Sequence, residues 1–83
     1  MSNAASALAE NAMQTIDART LQPPEPFERV IDALSSLPLG EALCLLVPHE
    51  PRPLYRFLAN NNYTWTSSQA AEGHWEVVIR EKP

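Results

Sequence analysis

Three prolines in the run Pro23-Pro24-Glu25-Pro26 constrain this chain more than any other feature of its sequence. Each proline ring fixes its own φ and biases the preceding residue toward extended geometry, so this segment forms a stiff loop. A short predicted strand at 14–17 precedes the loop, and an amphipathic helix follows it. We therefore expect the loop to hold Arg19, Glu25 and the helix start at one edge of a sheet. The unpaired N–H groups of a helix start favour a small anion or a thiolate there.

The composition is that of one small acidic domain. The chain has 83 residues, a net charge of −4 and a pI of about 5.0. A length of this kind supports one compact core, and the acidic balance argues against non-specific binding to nucleic acid. No apolar run approaches the roughly 20 residues of a membrane span, and no signal peptide is apparent. A single cysteine suits a reducing compartment, so we expect a cytoplasmic protein with no nucleic-acid or membrane partner.

Apolar periodicity and chain breakers predict six elements in the order β-α-β-α-β-β. The first helix carries an apolar stripe at spacings of three and four residues, and the apolar run after it is typical of a buried central strand. Thr and aromatic residues favour two final strands around a turn. The predicted elements are a strand at 14–17, a helix that begins at Pro26, a strand at 41–47, a helix at about 52–60, and strands at 63–68 and 74–80.

These elements predict an α+β fold, a two-layer α/β sandwich. The first β-α-β unit makes a right-handed crossover that places the first two strands parallel, and the last two strands form a hairpin. The result is a four-stranded mixed sheet with both helices on one face. Residues 1–13 are rich in Ala, Asn and Ser and are expected to be a disordered or weakly helical extension, so that the domain spans 14–83.

The first loop resembles the TusA/SirA-like sulfur-carrier superfamily. Members of that superfamily share a strand, an Asp-x-Arg-x-Leu turn and a Cys-Pro-x-Pro sequence that opens the first helix. Pro23 stands at the position of the family's sulfur-carrying cysteine. The matching positions in this chain are Asp17, Arg19, Leu21, Pro24, Glu25 and Pro26.

With the later run 48–55, the sequence is similar to a cysteine-less branch of that superfamily whose function is unknown. The resemblance covers roughly residues 14–80 and implies the same two-layer architecture. It also implies a protein partner, such as a haemerythrin-like or redox protein, since the branch occurs beside haemerythrin-like domains. Because Pro23 replaces the cysteine, the persulfide chemistry of the superfamily is not carried over.

A second rigid connection, Pro48–Pro53, follows the predicted central strand. Both connections leave the carboxyl ends of parallel strands, so we expect them to meet at one sheet edge, where open α/β sheets tend to bind ligands. Arg19 and Arg52 are expected to contact carboxylates there. The predicted ligand- or partner-binding residues are Asp17, Arg19, Pro24, Glu25, Pro26, His49, Glu50 and Arg52.

Three interpretations of this polar cluster remain open at the level of sequence. Ion pairs between the arginines and the carboxylates would fix the two loops against each other. A mixture of histidine and carboxylates could instead bind a metal or perform acid–base chemistry, although the chain has only two histidines. The third interpretation is a surface that binds a ligand or a partner.

Cys44 is the only thiol in the chain. Its flanking leucines predict a small apolar residue that points into the core, where burial would raise its pKa and hide it from substrates. The competing interpretation is a nucleophile or persulfide carrier. Exposure of the thiol separates the two.

The sequence thus predicts a non-catalytic accessory or binding domain that uses the two proline-rich loops to bind a partner protein or a small ligand. No catalytic residue, metal ligand or cofactor is predicted. Two alternatives belong to other classes: a redox or sulfur-relay protein that uses Cys44, and a metal- or haem-associated domain that uses His49.

Overall fold

The structure is a computed structural model that describes residues 13–82. It contains four strands and two helices in the predicted order, and each bound lies within two residues of the predicted one. The expected extension at 1–13 lies outside the described residues except for Met13, which begins the first strand. The elements are β1 (Met13–Asp17), α1 (Glu25–Ser35), β2 (Ala42–Val47), α2 (Arg52–Asn60), β3 (Tyr63–Gln69) and β4 (Trp75–Glu81).

The four strands form one mixed sheet in the order β1-β2-β4-β3. β1 and β2 are parallel, whereas β4 runs antiparallel to both of its neighbours. Because α1 follows β1 and α2 follows β2, both helices begin at the sheet edge where these two parallel strands end. The predicted α+β sandwich with two helices on one face is therefore confirmed.

Proline and asparagine set the limits of the helices. Pro24 caps α1 and Pro51 caps α2, and each helix has a further proline in its first turn, where the missing N–H costs no intrahelical bond. Asn62, with a φ of 68°, takes the left-handed conformation in the turn between α2 and β3. The Pro23–Pro24 peptide bond is cis.

The core fills the space between the helices and one face of the sheet, which we call the helix face. On this face Leu43 pairs with Ile79, and Leu45 pairs with Val77. Burial of these apolar side chains provides the main favourable free energy of folding. The buried core residues are Ala18, Val30, Leu34, Leu43, Leu45, Val47, Leu54, Leu58, Val77 and Ile79.

The opposite side of the sheet, which we call the open face, carries Cys44, and this corrects the sequence-based expectation. Side chains alternate along a strand, and the buried Leu43 and Leu45 on either side point to the helix face. Cys44 therefore points away from the core, beside Val78 of β4, and is half-buried. The sequence of β2 does not indicate this orientation, because its residues are apolar on both faces of the strand.

Candidate functional site

An apolar cleft lies between the two helices at the edge of the sheet where both of them begin. Its floor is the end of β2, where Leu45 and Val47 face the helices, and its volume is about 310 Å³. At one side Phe27 of α1 meets Phe57 of α2 edge to face, with ring centroids 5.8 Å apart. The lining residues are Pro23, Pro24, Pro26, Phe27, Val30, Leu45, Val47, Pro51, Pro53 and Leu54.

Both walls of the cleft are built from the same local pattern. Each helix opens with Pro-x-Pro followed by an apolar residue, Pro24–Phe27 in α1 and Pro51–Leu54 in α2. Each pattern contributes an N-cap proline and a second proline to the lining of the cleft. This repeated pattern is present in the sequence, and it indicates that the two helix starts have equivalent positions in the fold.

The helix starts offer few free donors to an anion. In α1 the N–H of Glu25 donates to the carbonyl of Gln22 at 3.0 Å, and Pro26 has no N–H. In α2 the N–H of Arg52 donates to the carbonyl of Glu50, also at 3.0 Å, and a proline follows it. Together with the apolar lining, these bonds favour an apolar occupant of the cleft over the anion expected from the sequence.

The polar residues of the first loop pair with each other. Arg19 donates from Nε and Nη2 to the two carboxylate oxygens of Asp17, with both distances 2.8 Å, and its backbone N–H donates to the same carboxylate at 3.2 Å. These hydrogen bonds hold the pKa of the exposed Asp17 carboxyl at about 2. The two side chains thus form a closed pair within their own loop.

A second polar group surrounds Glu50 in the second loop. Arg52 donates from Nε to Glu50 at 3.2 Å, and the Tyr55 hydroxyl donates to the other carboxylate oxygen at 3.2 Å. Tyr55 also stacks on Trp65 of β3, with ring centroids 5.2 Å apart and planes 13° apart. Burial raises the pKa of Tyr55. These contacts connect the second loop to α2 and to the edge strand β3.

The structure therefore brings together only some of the predicted site residues. Pro24 and Pro26 line the cleft, while Glu25 and Pro24 border a shallow groove on α1. Arg19 and Arg52 do contact carboxylates, but within residues 13–82 each pairs inside its own loop, so ion pairs do not join the two loops. His49 is exposed and does not line the cleft.

Asp17 lies on the open face, since its register partner in β2 is Leu46, a half-buried neighbour of Cys44. His74 stands nearby between two carboxylates, with Nδ1 3.6 Å from Glu72 and Nε2 3.5 Å from Glu76. Burial raises the pKa of the Cys44 thiol, and the charge of Glu76 raises it further, so the thiol is kept protonated. This polar cluster on the open face is separate from the cleft.

The residues that sequence reasoning missed are the apolar walls and floor of the cleft, such as Phe27, Val47 and Leu54. Their spacing along the helices and β2 is that of core side chains, so the sequence does not distinguish them from residues that are covered on all sides. In the described part of the chain, no three His, Cys, Asp or Glu side chains are arranged to hold a metal ion. Neither described helix is long and apolar enough to cross a membrane.

The fold and the cleft define a class: small two-layer α/β domains in which two proline-opened helices border an apolar cleft. The chain belongs to the family described as uncharacterized conserved protein (DUF2249), which it matches over residues 15–81. The matched range contains all of α1, β2, α2, β3 and β4 and both loops. A comparison with curated proteins found no match.

Proposed function

We propose that this protein is a non-catalytic binding domain whose two proline-rich loops hold an apolar group of a partner protein or a small ligand in the cleft between α1 and α2. The observation that carries this proposal is the cleft itself, which is lined by both loops. Its volume of about 310 Å³ lies at the lower end of the range for small-molecule pockets. An aromatic or aliphatic side chain of a partner is of suitable size.

The stiffness of the walls supports this proposal. Prolines in both helix starts fix φ and leave little backbone entropy to be lost when the cleft is filled. The Phe27–Phe57 contact and the buried floor further restrict the walls. A preformed apolar cleft of this kind favours binding because less ordering is required on association.

The chemistry of the lining supports a binding role rather than a catalytic one. The side chains that border the cleft are hydrocarbon, whereas general acid–base or nucleophilic catalysis needs a titratable group within reach of the substrate. The charged residues that stand between the lining prolines, Glu25 and Arg52, do not line the cleft and are paired with Arg29 and Glu50.

A relationship to the sulfur-carrier superfamily remains part of this proposal. In such a relationship Pro23, a lining residue of the cleft, occupies the position of the carrier cysteine, so a site for sulfur transfer has become an apolar binding site. A partner such as a haemerythrin-like or redox protein belongs to the same proposal.

The test is an NMR titration of isotope-labelled protein with small apolar probes, namely benzene, indole and cyclohexanol. We expect saturable amide shifts at Phe27, Val30, Val47 and Leu54, and small shifts at Thr66 and Val78 on the open face. Shifts spread evenly over both faces, or absent from the cleft, would contradict the proposal.

Two matched variants distinguish probe binding in the cleft from non-specific binding to other exposed apolar side chains. Phe27→Ala removes a wall of the cleft and is expected to weaken probe binding roughly fivefold or more, as expected for loss of one apolar contact surface. Leu39→Ala is the control, because Leu39 is 82% exposed and does not line the cleft. Equal affinities in the two variants would count against the cleft.

A further inference from the structure

The two helices carry opposite net charges. α1 contains three acidic residues and one arginine, which gives a net charge of −2, whereas α2 contains two arginines and no acidic residue, which gives +2. The helices lie side by side on one face of the sheet, as the Phe27–Phe57 contact shows. The outer surface of the helix layer is therefore acidic on one side and basic on the other.

Local ion pairs leave a complementary set of charges uncompensated. Glu25 is 3.9 Å from Arg29 within α1, and Arg52 is paired with Glu50. Among residues 13–82, Glu28 and Asp32 of α1 and Arg56 of α2 have no ion-pair partner. All three side chains belong to exposed residues.

An exposed apolar seam separates these charges. Phe27 is 39% exposed and Ile31, one turn later on α1, is 36% exposed. From α2 the half-buried Phe57 contacts Phe27, and the exposed Pro53 lines the cleft together with Phe27. Large apolar side chains of this kind, flanked by charges, are typical of a protein–protein contact.

The heights of the charges along the helices match. Both helices begin at the same sheet edge and run in the same direction. With a rise of about 1.5 Å per residue, Glu28 lies ~4.5 Å and Asp32 ~10.5 Å from the start of α1, and Arg56 lies ~6 Å from the start of α2. Arg56 is thus level with the interval between the two acidic residues.

We propose that the helix layer binds a second copy of this chain, with a two-fold axis parallel to the helices. This axis places α1 of one copy over α2 of the other, so that Arg56 of each copy faces Glu28 and Asp32 of the other copy. The Phe27–Ile31 seam packs against its symmetry-related counterpart. An axis perpendicular to the helices would instead oppose α1 to α1, which places like charges together.

The small contact area predicts a weak dimer. A helix of 11 residues is ~16 Å long, and packed helices lie about 10 Å apart, so the two-helix surface is at the small end of specific interfaces. Exposed ion pairs are screened at high salt. We therefore expect association in the micromolar to millimolar range that weakens as salt is added.

The test is sedimentation equilibrium from roughly 10 µM to 1 mM, at low salt and in roughly 0.5 M salt. We expect a monomer–dimer equilibrium in the wild type. Glu28→Arg and Arg56→Glu should each weaken association roughly tenfold, since the symmetric dimer contains the contact twice. The double variant Glu28→Arg/Arg56→Glu should restore part of it, because the exchanged pair attracts again while Asp32 still opposes the new glutamate.

Glu81→Arg is the control, because it makes the same charge change on an exposed residue of β4, away from the helices. Far-UV circular dichroism checks that every variant is folded. A wild type that stays monomeric at all concentrations overturns the proposal. So does a dimer that Glu28→Arg and Glu81→Arg weaken equally, or one that the double variant fails to restore.

This inference does not depend on the proposed function, and the two can fail separately. Glu28 and Arg56 do not line the cleft, so probe binding can be measured in the charge variants. A dimer of this geometry covers the mouth of the cleft, so a partner protein and the second copy compete for the same surface.

Discussion

Arg19 forms a two-bond ion pair with Asp17, two residues earlier in its own loop, with both N–O distances 2.8 Å. The Nε and Nη2 groups of Arg19 therefore donate to Asp17 and not to a carboxylate of the second loop. This ion pair therefore does not connect the first proline loop to the second. The two loops meet instead through their prolines, which line the cleft together.

The Asp17–Arg19 pair predicts an unusually acidic carboxyl group. The hydrogen bonds from Arg19 lower the pKa of Asp17 from 3.8 to about 2. Because folding lowers this pKa, the ionised Asp17 stabilises the folded state fully above pH 3.8. This stabilisation is lost as the pH falls toward 2. In Arg19→Gln we expect the midpoint to return toward 3.8, measured by the carboxyl ¹³C shift against pH.

Arg29→Gln is the matched control for this titration, because Arg29 is also exposed but pairs with Glu25. It should leave the Asp17 midpoint in place. An Asp17 midpoint that does not move in Arg19→Gln would show that the ion pair does not form in solution.

Two neighbouring valines of β4 test which face of the sheet is covered. Val77 is fully buried under the helices, and Val78 is half-buried on the open face. Val77→Ala should lower the free energy of unfolding by about 2 kcal/mol, which combines lost apolar transfer with a cavity, and Val78→Ala by less than half of that. Denaturant unfolding measures both; equal losses would reject the assigned sidedness.

Cys44 should react in the native state, but slowly. Its half-buried position on the open face leaves the thiol accessible, while burial and the charge of Glu76 raise its pKa and so lower the thiolate fraction. We expect complete labelling at a rate below that of free cysteine, and a rate that still increases at pH values where the labelling of free cysteine no longer does.

Glu76→Gln should accelerate this labelling, because it removes a negative charge that disfavours the thiolate. Glu72→Gln is the control, since Glu72 is in the turn before β4 and is not among the groups that shift the thiol pKa. A thiol that is labelled only in denaturant would restore the original expectation of a core cysteine.

Variants in the two loops should affect binding more than folding. Pro26→Ala costs about 0.4–1 kcal/mol of stability through unfolded-state entropy. Pro24→Ala and Pro26→Ala also loosen the walls of the cleft. His49→Ala and Arg52→Ala should spare the fold because both residues are exposed. Thermal melting is compared with probe affinity and with recovery of partners from native extract.

The proline variants are expected to lose affinity, and the His49 and Arg52 variants report whether the exposed rim contributes to a protein partner. If all four variants keep wild-type probe affinity and partner recovery, the loops have a structural role and the proposed binding function is wrong.

The elements of the fold were predictable because local signals agree. The stripe Phe27–Leu34 specifies a helix, and the prolines before it specify where that helix begins. The side of the sheet to which Cys44 points could not be predicted in this way. Ala42–Val47 is apolar on both faces, so its sequence shows no alternation of polar and apolar residues. The partner strand held the missing information: Val77 and Ile79 alternate with Glu76 and Arg80, which identifies the helix face once the register is known.

The meeting of the two proline loops was predictable from the sequence, but the contacts of their side chains were not. Parallel strands place both proline loops at one edge, as expected. The pairing of Arg19 with Asp17, and of Arg52 with Glu50, depends on side-chain reach within each loop, since each partner lies two residues away. Sequence spacing alone does not distinguish such local partners from partners in the other loop.

The strand order has a consequence for synthesis of the chain. β4 is the last strand of the described residues, yet it lies between β2 and β3 and pairs with β3 over residues 75–81 and with β2 over residues 75–80. β3 therefore has no neighbour in the sheet until β4 has been made. A nascent chain that ends before residue 75 can form α1, α2 and the β1–β2 pair, but it exposes the inner edges of β2 and β3. The four-stranded sheet therefore cannot be completed before β4 has been synthesised.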